Sequence, residues 1–477
     1  MKILLINPPR LNEIRADNPS FIDEERGFNP PLGLLYLSGY LREKADWPVE
    51  VIDAQAEELA YDAKFKARIP TDDDLVVGIT AMTFTMIDVV KTIGLLKEVA
   101  GEKGIKMKIV LGGPHPTIYP KETINLPGVD YAIIGEGEIT FLELCRKISQ
   151  NEEPLGVKGV VFKQKGEIVN NGWREFVEQL DQLPFPAREL VDINKYNSIL
   201  SGGKIITTMI TSRGCPFQCA FCDRPHLGKK FRYRSAQNVV AEMAVCQKLG
   251  IGEILVYDDT FTVNRQRVID ICEEIKKRSL KIDWDIRARV DTVDEEILKK
   301  LKSAGCRRIH FGVEAGTDKI LKVLKKGINI EQVKKIFKLC RRLKIKTLAY
   351  FMIGSPTETK EDIKASNQLA RELKPDFIHA TILTPYPATA LYYQALEEGI
   401  IKNDYWRVFA QNPLAGVETC YWEKNFTRQE LFDLLEKFYH QFYSRPSYIA
   451  KQLFSVRSWR DFLAKSKMGL KILGLKR

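Results

Sequence analysis

Three cysteines lie within eight positions of the sequence "TSRGCPFQCAFCDRP" at residues 211–225. They are Cys215, Cys219 and Cys222. A structural zinc takes four protein ligands and a disulfide pairs two thiols, so three thiols match neither. Four-iron clusters are held by cysteine thiolates, normally one per iron, and three thiolates leave one iron open to a small chelating molecule. The spacing predicts such a cluster; the alternative is a zinc site completed by Asp223 or His226.

The composition is that of a large folded protein whose cysteines are not arranged as disulfides. The chain has 477 residues, 44% of them hydrophobic, which is enough for two or three domains with their own cores. The start "MKILLINPP" has no cleavable signal pattern, and no apolar run reaches membrane-spanning length. Nine mostly scattered cysteines then favour a cytoplasmic location. Much of the net charge of +11 lies in residues 445–477, so we expect no nucleic-acid partner.

Residues 1–150 alternate short apolar runs with helical patterns. The runs "KILLI", "VEVIDA", "VVGIT", "KIVLGG" and "YAIIGEG" predict buried parallel strands of a doubly wound, Rossmann-like α/β sheet. Ligands of such sheets lie beyond the carboxyl ends of the strands, which here read "NPPR", "GITAMT", "GGPHPT" and "GEGE". Residues 151–200 are interpreted as a connector that contains a hairpin.

Residues 201–395 repeat a strand and a helix six times. Six units are too few for a closed eight-fold barrel, so the pattern predicts a partial, open (β/α)6 barrel with its site at the strand carboxyl ends. The three cysteines follow the first of these strands. Residues 396–477 are interpreted as a mostly helical C-terminal region with a basic amphipathic tail.

The C-x3-C-x2-C spacing after a strand resembles the signature of the radical S-adenosylmethionine (SAM) family, and Phe221 precedes the last cysteine as it does there. The segments "VYDDTF", "RAR", "FGVEAGT", "FMIGSPTET" and "TPYPAT" resemble later strand ends of that family. The resemblance implies SAM contacts at Phe221, Asp258, Asp259, Arg289, Glu314, Ile353 and Gly354. The chain departs from the family pattern at Ala315, Thr357 and Ala388.

The first domain resembles the cobalamin-binding domain of the B12-dependent branch of that family, because "GGPHPT" and "GEGE" match the loops after its last two strands. The implied cobalamin contacts are Pro9, Thr80, Thr83, Gly112, Gly113, His115, Gly135, Glu136 and Gly137. The motif Asp-x-His-x-x-Gly is absent, so we expect His115 near the corrin but not on cobalt. A domain that has lost its ligand is the alternative.

The resemblance implies an enzyme with a 4Fe-4S cluster, SAM and cobalamin as cofactors. Reductive cleavage of SAM would yield a 5'-deoxyadenosyl radical that takes hydrogen from a substrate carbon, followed by methyl transfer from methylcobalamin. The alternatives are a ring-forming or rearranging enzyme without methyl transfer, and a cobalamin or iron–sulfur sensor without turnover. No protein residue is assigned a catalytic role. The implied partners are a small-molecule or lipid-type substrate and an electron donor such as a flavodoxin or ferredoxin.

The last residues carry nine Lys and Arg against the single Asp461 in residues 445–477. Apolar side chains stand at helical spacing among these lysines: Trp459, Phe462, Leu463, Leu470 and Leu473. Such a stretch can lie on an anionic membrane surface, which would place the protein peripherally at the inner face of the membrane. The alternative is a helix packed on the barrel.

Overall fold

Apolar strands of the first part of the chain form a mostly parallel sheet in a computed structural model, which describes residues 1–14, 27–72, 74–223, 228–414 and 418–454. Within these ranges the sheet has seven strands in the order β2-β1-β3-β4-β5-β6-β7. The strands are β1 (Lys2–Asn7), β2 (Val49–Asp53), β3 (Asp74–Thr80), β4 (Lys106–Gly112), β5 (Tyr131–Ile133), β6 (Val160–Gln164) and β7 (Glu167–Asn170). The first five run parallel, which confirms the doubly wound sheet.

Helices cover both faces of this sheet, because the centres of its strands are apolar on both sides. Ile3 to Ile6 of β1 are fully buried. The helices are α1 (Leu32–Lys44), α2 (Ala63–Arg68), α3 (Met86–Lys103), α4 (Pro114–Ile118), α5 (Pro120–Asn125) and α6 (Glu138–Ser149). The longest of them, α3, ends at Gly104, whose φ of 68° is the left-handed conformation that glycine adopts without strain.

The hairpin β6–β7 pairs antiparallel with β5 and so extends the first sheet. The chain then crosses to the second sheet through short 3-10 turns. On the way, the buried Tyr196 donates a hydrogen bond to the Asp53 carboxylate at 2.8 Å. Asp53 ends β2 and also accepts from Asn7, which ends β1. This polar contact ties the connector to the carboxyl edge of the first sheet.

The second sheet is a six-stranded parallel sheet, counted over the described residues, in the order β15-β14-β13-β12-β11-β8. Its strands, with a short antiparallel ribbon of β9 and β10 beside them, are β8 (Ile206–Met209), β9 (Ser212–Arg213), β10 (Arg232–Tyr233), β11 (Glu253–Val256), β12 (Asp283–Ala288), β13 (Cys306–Glu314), β14 (Lys346–Ile353) and β15 (Phe377–Ile382). Sequential parallel order without closure of β15 onto β8 confirms the partial barrel.

Polar side chains cap several helices of the second half of the chain at their first turn. Ser235, Asn264 and Asp294 each accept a backbone N–H of the first turn. The helices are α7 (Ala236–Lys248), α8 (Arg265–Lys277), α9 (Glu295–Ser303), α10 (Asp318–Val323), α11 (Ile330–Arg342), α12 (Lys360–Leu373), α13 (Ala390–Glu397), α14 (Tyr405–Gln411), α15 (Arg428–Tyr443) and α16 (Pro446–Phe454).

The C-terminal helices reach back over both sheets. Tyr439 of α15 donates to the carbonyl of Ala380 on β15 at 2.8 Å, and Arg407 of α14 pairs with Glu122 of α5 at 2.8 Å. In the described ranges no helix combines the length and apolarity needed to cross a bilayer. The predicted amphipathic stretch at residues 455–477 lies outside the described residues.

Candidate functional site

The three predicted cluster cysteines share one loop, residues 214–223, which follows β9 and is called the cluster loop below. Cys215 and Cys219 are partly exposed and Cys222 is exposed. The backbone of Ala220 is held from two sides: its N–H donates to the carbonyl of Leu324 and its carbonyl accepts from Leu391, both at 3.0 Å. The loop is therefore anchored at its centre and presents its thiols at the surface of the barrel end.

The cluster loop carries the three predicted thiolate donors of an iron–sulfur site. Over the part of the chain that the structure describes, no three Cys, His, Asp or Glu side chains converge in a way that could hold a metal ion. His226, the alternative zinc ligand, lies outside the described residues. Three thiols on one accessible loop match the chemistry of a cluster with an open iron.

Arg289 lies directly against the cluster loop. Its guanidinium donates to the sulfur of Cys219 at 3.6 Å and stacks on the ring of Phe217 at 3.8 Å from the centroid. Asp291 and the carbonyl of Lys326 hold its other nitrogens, at 2.8 Å and 2.5 Å. The structure thus places Arg289 beside a predicted iron ligand; its prediction as a SAM contact remains open.

Asp258 and Asp259 have different surroundings although they are adjacent in sequence. Asp258 is 1% exposed and accepts hydrogen bonds from the backbone N–H and the hydroxyl of both Thr211 and Ser212. It therefore holds the turn that leads into the cluster loop. Asp259 is exposed; burial raises the pKa of the Cys215 thiol, and the negative charge of Asp259 raises it further. Of the two, Asp259 is the better placed to contact a bound ligand.

Glu314 is paired with a residue that sequence reasoning missed. Its carboxylate accepts from the Lys326 ammonium at 2.6 Å, and both side chains are almost fully buried. Gly312 makes room for this pair, because a Cβ there would overlap the Glu314 carboxylate and the Lys326 ammonium. The same ammonium lies 5.7 Å from the ring centroid of Phe221 in the cluster loop. Nothing local in "VLKKG" distinguishes Lys326 from its neighbour Lys325.

Two of the three positions that depart from the family pattern have left-handed backbone conformations. Thr357 and Ala388, which stand where the family has glycine, have φ of 61° and 63°. These left-handed conformations explain why glycine suits both sites. Gly354 has φ of 80°, and Ile353 is fully buried. Beyond them, burial raises the pKa of the Glu358 carboxyl to about 7, so this group is partly protonated near neutral pH.

The interior of the barrel holds a buried polar network that no sequence motif indicated. Arg308 pairs with Glu253 at 2.8 Å and with Asp285 at 2.5 Å, and its Nε donates to His310 Nε2 at 3.0 Å. Burial lowers the pKa of His310, so the ring is neutral. His310 Nε2 also lies 3.1 Å from the Asp285 carboxylate, and Nδ1 lies 3.0 Å from the hydroxyl of Tyr350, so the ring connects these groups.

Above this network the interior face carries polar side chains that solvent reaches. Arg287 stacks on Tyr257 at 3.6 Å from the ring centroid, and its side chain is 26% exposed. On the opposite strands Tyr350 and His379 are partly exposed and pack edge to face. Cations, rings and hydroxyls of this kind can bind the polar part of a substrate.

The predicted cobalamin residues lie along one edge of the first sheet. Pro9 follows β1, Thr80 and Gly112 are register neighbours at the ends of β3 and β4, and Gly137 precedes α6. Gly113 requires glycine, since its φ is 113° and a Cβ would lie 2.8 Å from the carbonyl oxygen of Ala81. A ligand can therefore approach the backbone closely at this edge. The cobalamin contacts of these residues remain predictions.

His115 is packed inside this edge rather than exposed along it. The ring is 0% exposed and its Nδ1 lies 3.1 Å from the hydroxyl of Thr83. Its Nε2 has no hydrogen-bond partner among the described residues, and burial lowers the pKa of the ring to about 3. A side chain that binds cobalt must reach the open face of the domain, so this burial supports the prediction that His115 is not a cobalt ligand.

The loop after β5 joins the first sheet to the cluster loop through buried ion pairs. Glu136 accepts from Arg213 at 2.8 Å and from Arg232 at 2.9 Å, while Glu138 pairs with Arg213 at 2.6 Å. Arg213 ends β9 immediately before the cluster loop. Gly135, with φ of 77°, packs against the ring of Trp173. The carboxylate of Glu136 is thus paired with two arginines. The carboxyl-end edge of the first sheet meets the start of the cluster loop at this junction.

Comparison with known proteins agrees with this arrangement. Residues 209–370 match the Radical SAM superfamily and residues 22–145 match the B12 binding domain. A relative named uncharacterized methyltransferase PH0819, from Pyrococcus horikoshii, is 35% identical over 458 residues, which cover 95% of each chain. The anaerobic magnesium-protoporphyrin IX monomethyl ester cyclase of Rubrivivax gelatinosus is 28% identical over 91% of this chain and 77% of its own.

Among solved structures, the radical S-adenosylmethionine methyltransferase TsrM from Kitasatospora setae, with cobalamin and a 4Fe-4S cluster bound, superposes with a TM-score of 0.67. The match covers 84% of this chain and 76% of that chain at 20% identity. At this identity the likeness shows a shared fold, in which a doubly wound domain and a partial barrel occur together.

Proposed function

This chain belongs to the family of B12-binding radical SAM proteins, and from that premise we propose that it transfers a methyl group to a carbon atom of a small-molecule substrate. The predicted cofactors, a 4Fe-4S cluster, SAM and cobalamin, follow from the family. When bound, they supply a radical that removes a hydrogen atom from carbon and a methyl group that replaces it.

The ion-paired junction is the observation that carries this proposal. Methyl transfer to a carbon radical requires the SAM site and the cobalamin site to face one substrate. Glu136 and Arg213 join the loop after β5 to the entrance of the cluster loop at 2.8 Å. Because ligands of both sheets lie at strand carboxyl ends, this contact supports a shared chamber between the two edges.

Residues of this chain would hold and orient the groups in that chamber. We infer that the three cysteines of the cluster loop bind the cluster, with Arg289 placed against the sulfur of Cys219. The Glu314–Lys326 pair stands beside Phe221 and would position SAM. Arg287 and Tyr350 would bind the polar part of the substrate from below. The C-terminal helices would help to exclude water from the chamber.

Radical ring formation without methyl transfer is the second candidate. It is favoured by the similarity to the cyclase of Rubrivivax gelatinosus over 91% of this chain. Both candidates require reductive cleavage of SAM, and they differ in whether the methyl group of SAM reaches a product.

Anaerobic reconstitution with iron, sulfide and hydroxocobalamin, followed by SAM carrying a labelled methyl group and dithionite, tests the proposal. We expect 5'-deoxyadenosine together with S-adenosylhomocysteine, because SAM must also remethylate cobalamin. A variant with Cys215, Cys219 and Cys222 replaced by Ala should lose iron, sulfide and both products. A variant with the buried Cys246 and Cys340 replaced by Ala is the control and should keep its iron. 5'-Deoxyadenosine without S-adenosylhomocysteine would favour the second candidate.

The cytoplasmic location, the electron donor and the membrane contact of the tail remain proposals. If residues 455–477 bind an anionic surface, the protein should co-sediment with anionic vesicles at low salt and less at high salt, since charge attraction is screened. Removal of these residues should reduce binding and leave cluster and cobalamin content intact. Indifference of the full-length protein to anionic vesicles would remove the support for a lipid-type substrate.

A further inference from the structure

A groove rimmed by lysines lies behind the cluster loop, at the end of β13. It has a volume of about 340 Å³ and is lined by Asp318, Leu321, Lys322, Lys325, Gly327 and Ile328. Leu321 and Ile328 are buried and form an apolar floor. Lys322 and Lys325 are exposed. The groove therefore combines an apolar floor with a cationic rim.

The segment that forms this groove touches the cluster loop on its other side. The carbonyl of Leu324 accepts the N–H of Ala220 at 3.0 Å, and Ala220 is the covalent neighbour of Cys219. The carbonyl of Lys326 accepts from Arg289, which in turn contacts the sulfur of Cys219. One hydrogen bond and a few covalent bonds thus connect the groove to a predicted iron ligand.

The two lysines of the rim have no charge partner within the part of the chain that the structure describes. Among the residues described, neither the Lys322 nor the Lys325 ammonium has a hydrogen-bond acceptor or a carboxylate within ion-pair distance, whereas the nearby Lys319 is paired with Asp362 at 2.8 Å. The acidic member of the groove, Asp318, accepts the N–H of Ile330 at 2.8 Å. Two unpaired cations against one hydrogen-bonded carboxylate leave the rim positive.

We propose that this groove is the docking surface for an acidic one-electron carrier protein of the flavodoxin type. The inference rests on the proposed function, since reductive cleavage of SAM needs an electron from outside. One electron leaves the reduced carrier and enters the cluster, and no bond is made or broken in that step. A carrier whose apolar cofactor edge is surrounded by carboxylates matches the apolar floor and the lysine rim. Redox encounters use small interfaces, and charge complementarity raises their association rates.

Charge reversal of the rim tests this proposal on the reconstituted holoenzyme. The variant Lys322→Glu/Lys325→Glu is compared with Lys163→Glu/Lys165→Glu in the β6–β7 hairpin, which changes the net charge equally at exposed lysines. The two pairs are matched in backbone as well, because Lys325 and Lys165 have φ of 52° and 50°. The probe is a purified acidic flavodoxin, with its binding measured by calorimetry at low and high salt. The second readout is 5'-deoxyadenosine formation driven by reduced flavodoxin or by dithionite.

We expect the rim variant to bind flavodoxin about tenfold more weakly at low salt and to slow flavodoxin-driven cleavage in proportion. Dithionite-driven cleavage should be unchanged, because a small reductant needs no docking surface. The hairpin variant should behave like the wild type in every assay.

Three results would overturn the proposal. Unchanged flavodoxin binding in the rim variant would mean that flavodoxin docks elsewhere. Equally weakened binding in the hairpin variant would mean that only the net charge of the protein matters. Loss of binding to a single-stranded oligonucleotide, without loss of flavodoxin binding, would assign the rim to a different partner. Failure of dithionite to cleave SAM in the wild type would instead refute the proposed function, while the binding data would still decide the docking surface.

Discussion

The Glu136 carboxylate accepts a hydrogen bond from the Arg213 guanidinium at 2.8 Å, which fastens the end of the first sheet to the entrance of the cluster loop. The two side chains are only 6% and 8% exposed. Arg232 on the neighbouring strand donates to the same carboxylate, and Glu138 holds the other amino group of Arg213. The two predicted cofactor edges therefore meet at a buried, ion-paired junction.

Replacing Glu136 by Gln should destabilise the protein by about 3 kcal/mol, because it leaves buried arginines without their full countercharge. Urea unfolding measures the change, and cobalamin content should fall with it as the loop loosens. The control is Glu178→Gln, whose partner Lys230 is 71% exposed, and no measurable change is expected there. Equal stability of the two variants would mean that the junction does not hold the sheets together.

Substitutions of Asp258 and of Asp259 should have different effects, the first on stability and iron content and the second on SAM binding. Asp258→Ala removes the acceptor of four hydrogen bonds at the turn before the cluster loop and should cost about 3 kcal/mol, with loss of iron after reconstitution. Asp259→Ala should keep iron and sulfide at wild-type levels and weaken SAM binding. Iron analysis measures the cluster content of each variant, and equilibrium dialysis measures its affinity for SAM. An Asp259 variant that lacks iron would contradict this division.

Lys326 should matter both for stability and for SAM. Lys326→Met leaves the buried Glu314 carboxylate unpaired and should destabilise the protein by about 3 kcal/mol. The double variant Lys326→Met/Glu314→Gln removes both charges and should recover most of that stability. If the pair positions SAM, SAM affinity should stay low in the double variant. Full recovery of SAM affinity would show that the pair is purely structural.

His115 should make the stability of the protein depend on pH. Burial lowers its pKa to about 3 from an ordinary 6.5, so the unfolded chain binds more protons between these values and stability falls as the pH falls below 6.5. The contribution between pH 7 and pH 5 is about 2 kcal/mol. His115→Asn should remove this part of the pH dependence of urea unfolding. The same change at the exposed His440 should leave the pH dependence as it is.

Cobalamin binding should survive the loss of His115. Because the ring is fully buried and lies against Thr83, His115→Ala should keep most of the bound cobalamin. The EPR spectrum of the Co(II) form should show no strong splitting from an axial nitrogen in either protein. Nitrogen splitting that disappears in the variant would identify His115 as a cobalt ligand after all.

Much of the architecture could be predicted from the sequence because its signals are local. The spacing of Cys215, Cys219 and Cys222 lies within one loop, and most barrel strands are followed by a helix with a side-chain cap. Such patterns depend on backbone periodicity and on side chains a few residues apart. The family resemblance rests on the same short segments, so the sequence is sufficient to predict both the doubly wound sheet and the partial barrel.

Tertiary structure decided which of the candidate side chains are buried and which groups they contact. Asp258 and Asp259 are identical in type and adjacent, yet only the first lies on the buried side of its strand end. Glu136 pairs with Arg213, which lies far along the chain in the β9–β10 ribbon beside the second sheet. Lys326 gains its role because Gly312 leaves space beside Glu314. These pairings depend on how two sheets and their loops are placed relative to one another, and long-range placement leaves no periodic trace in a single sequence.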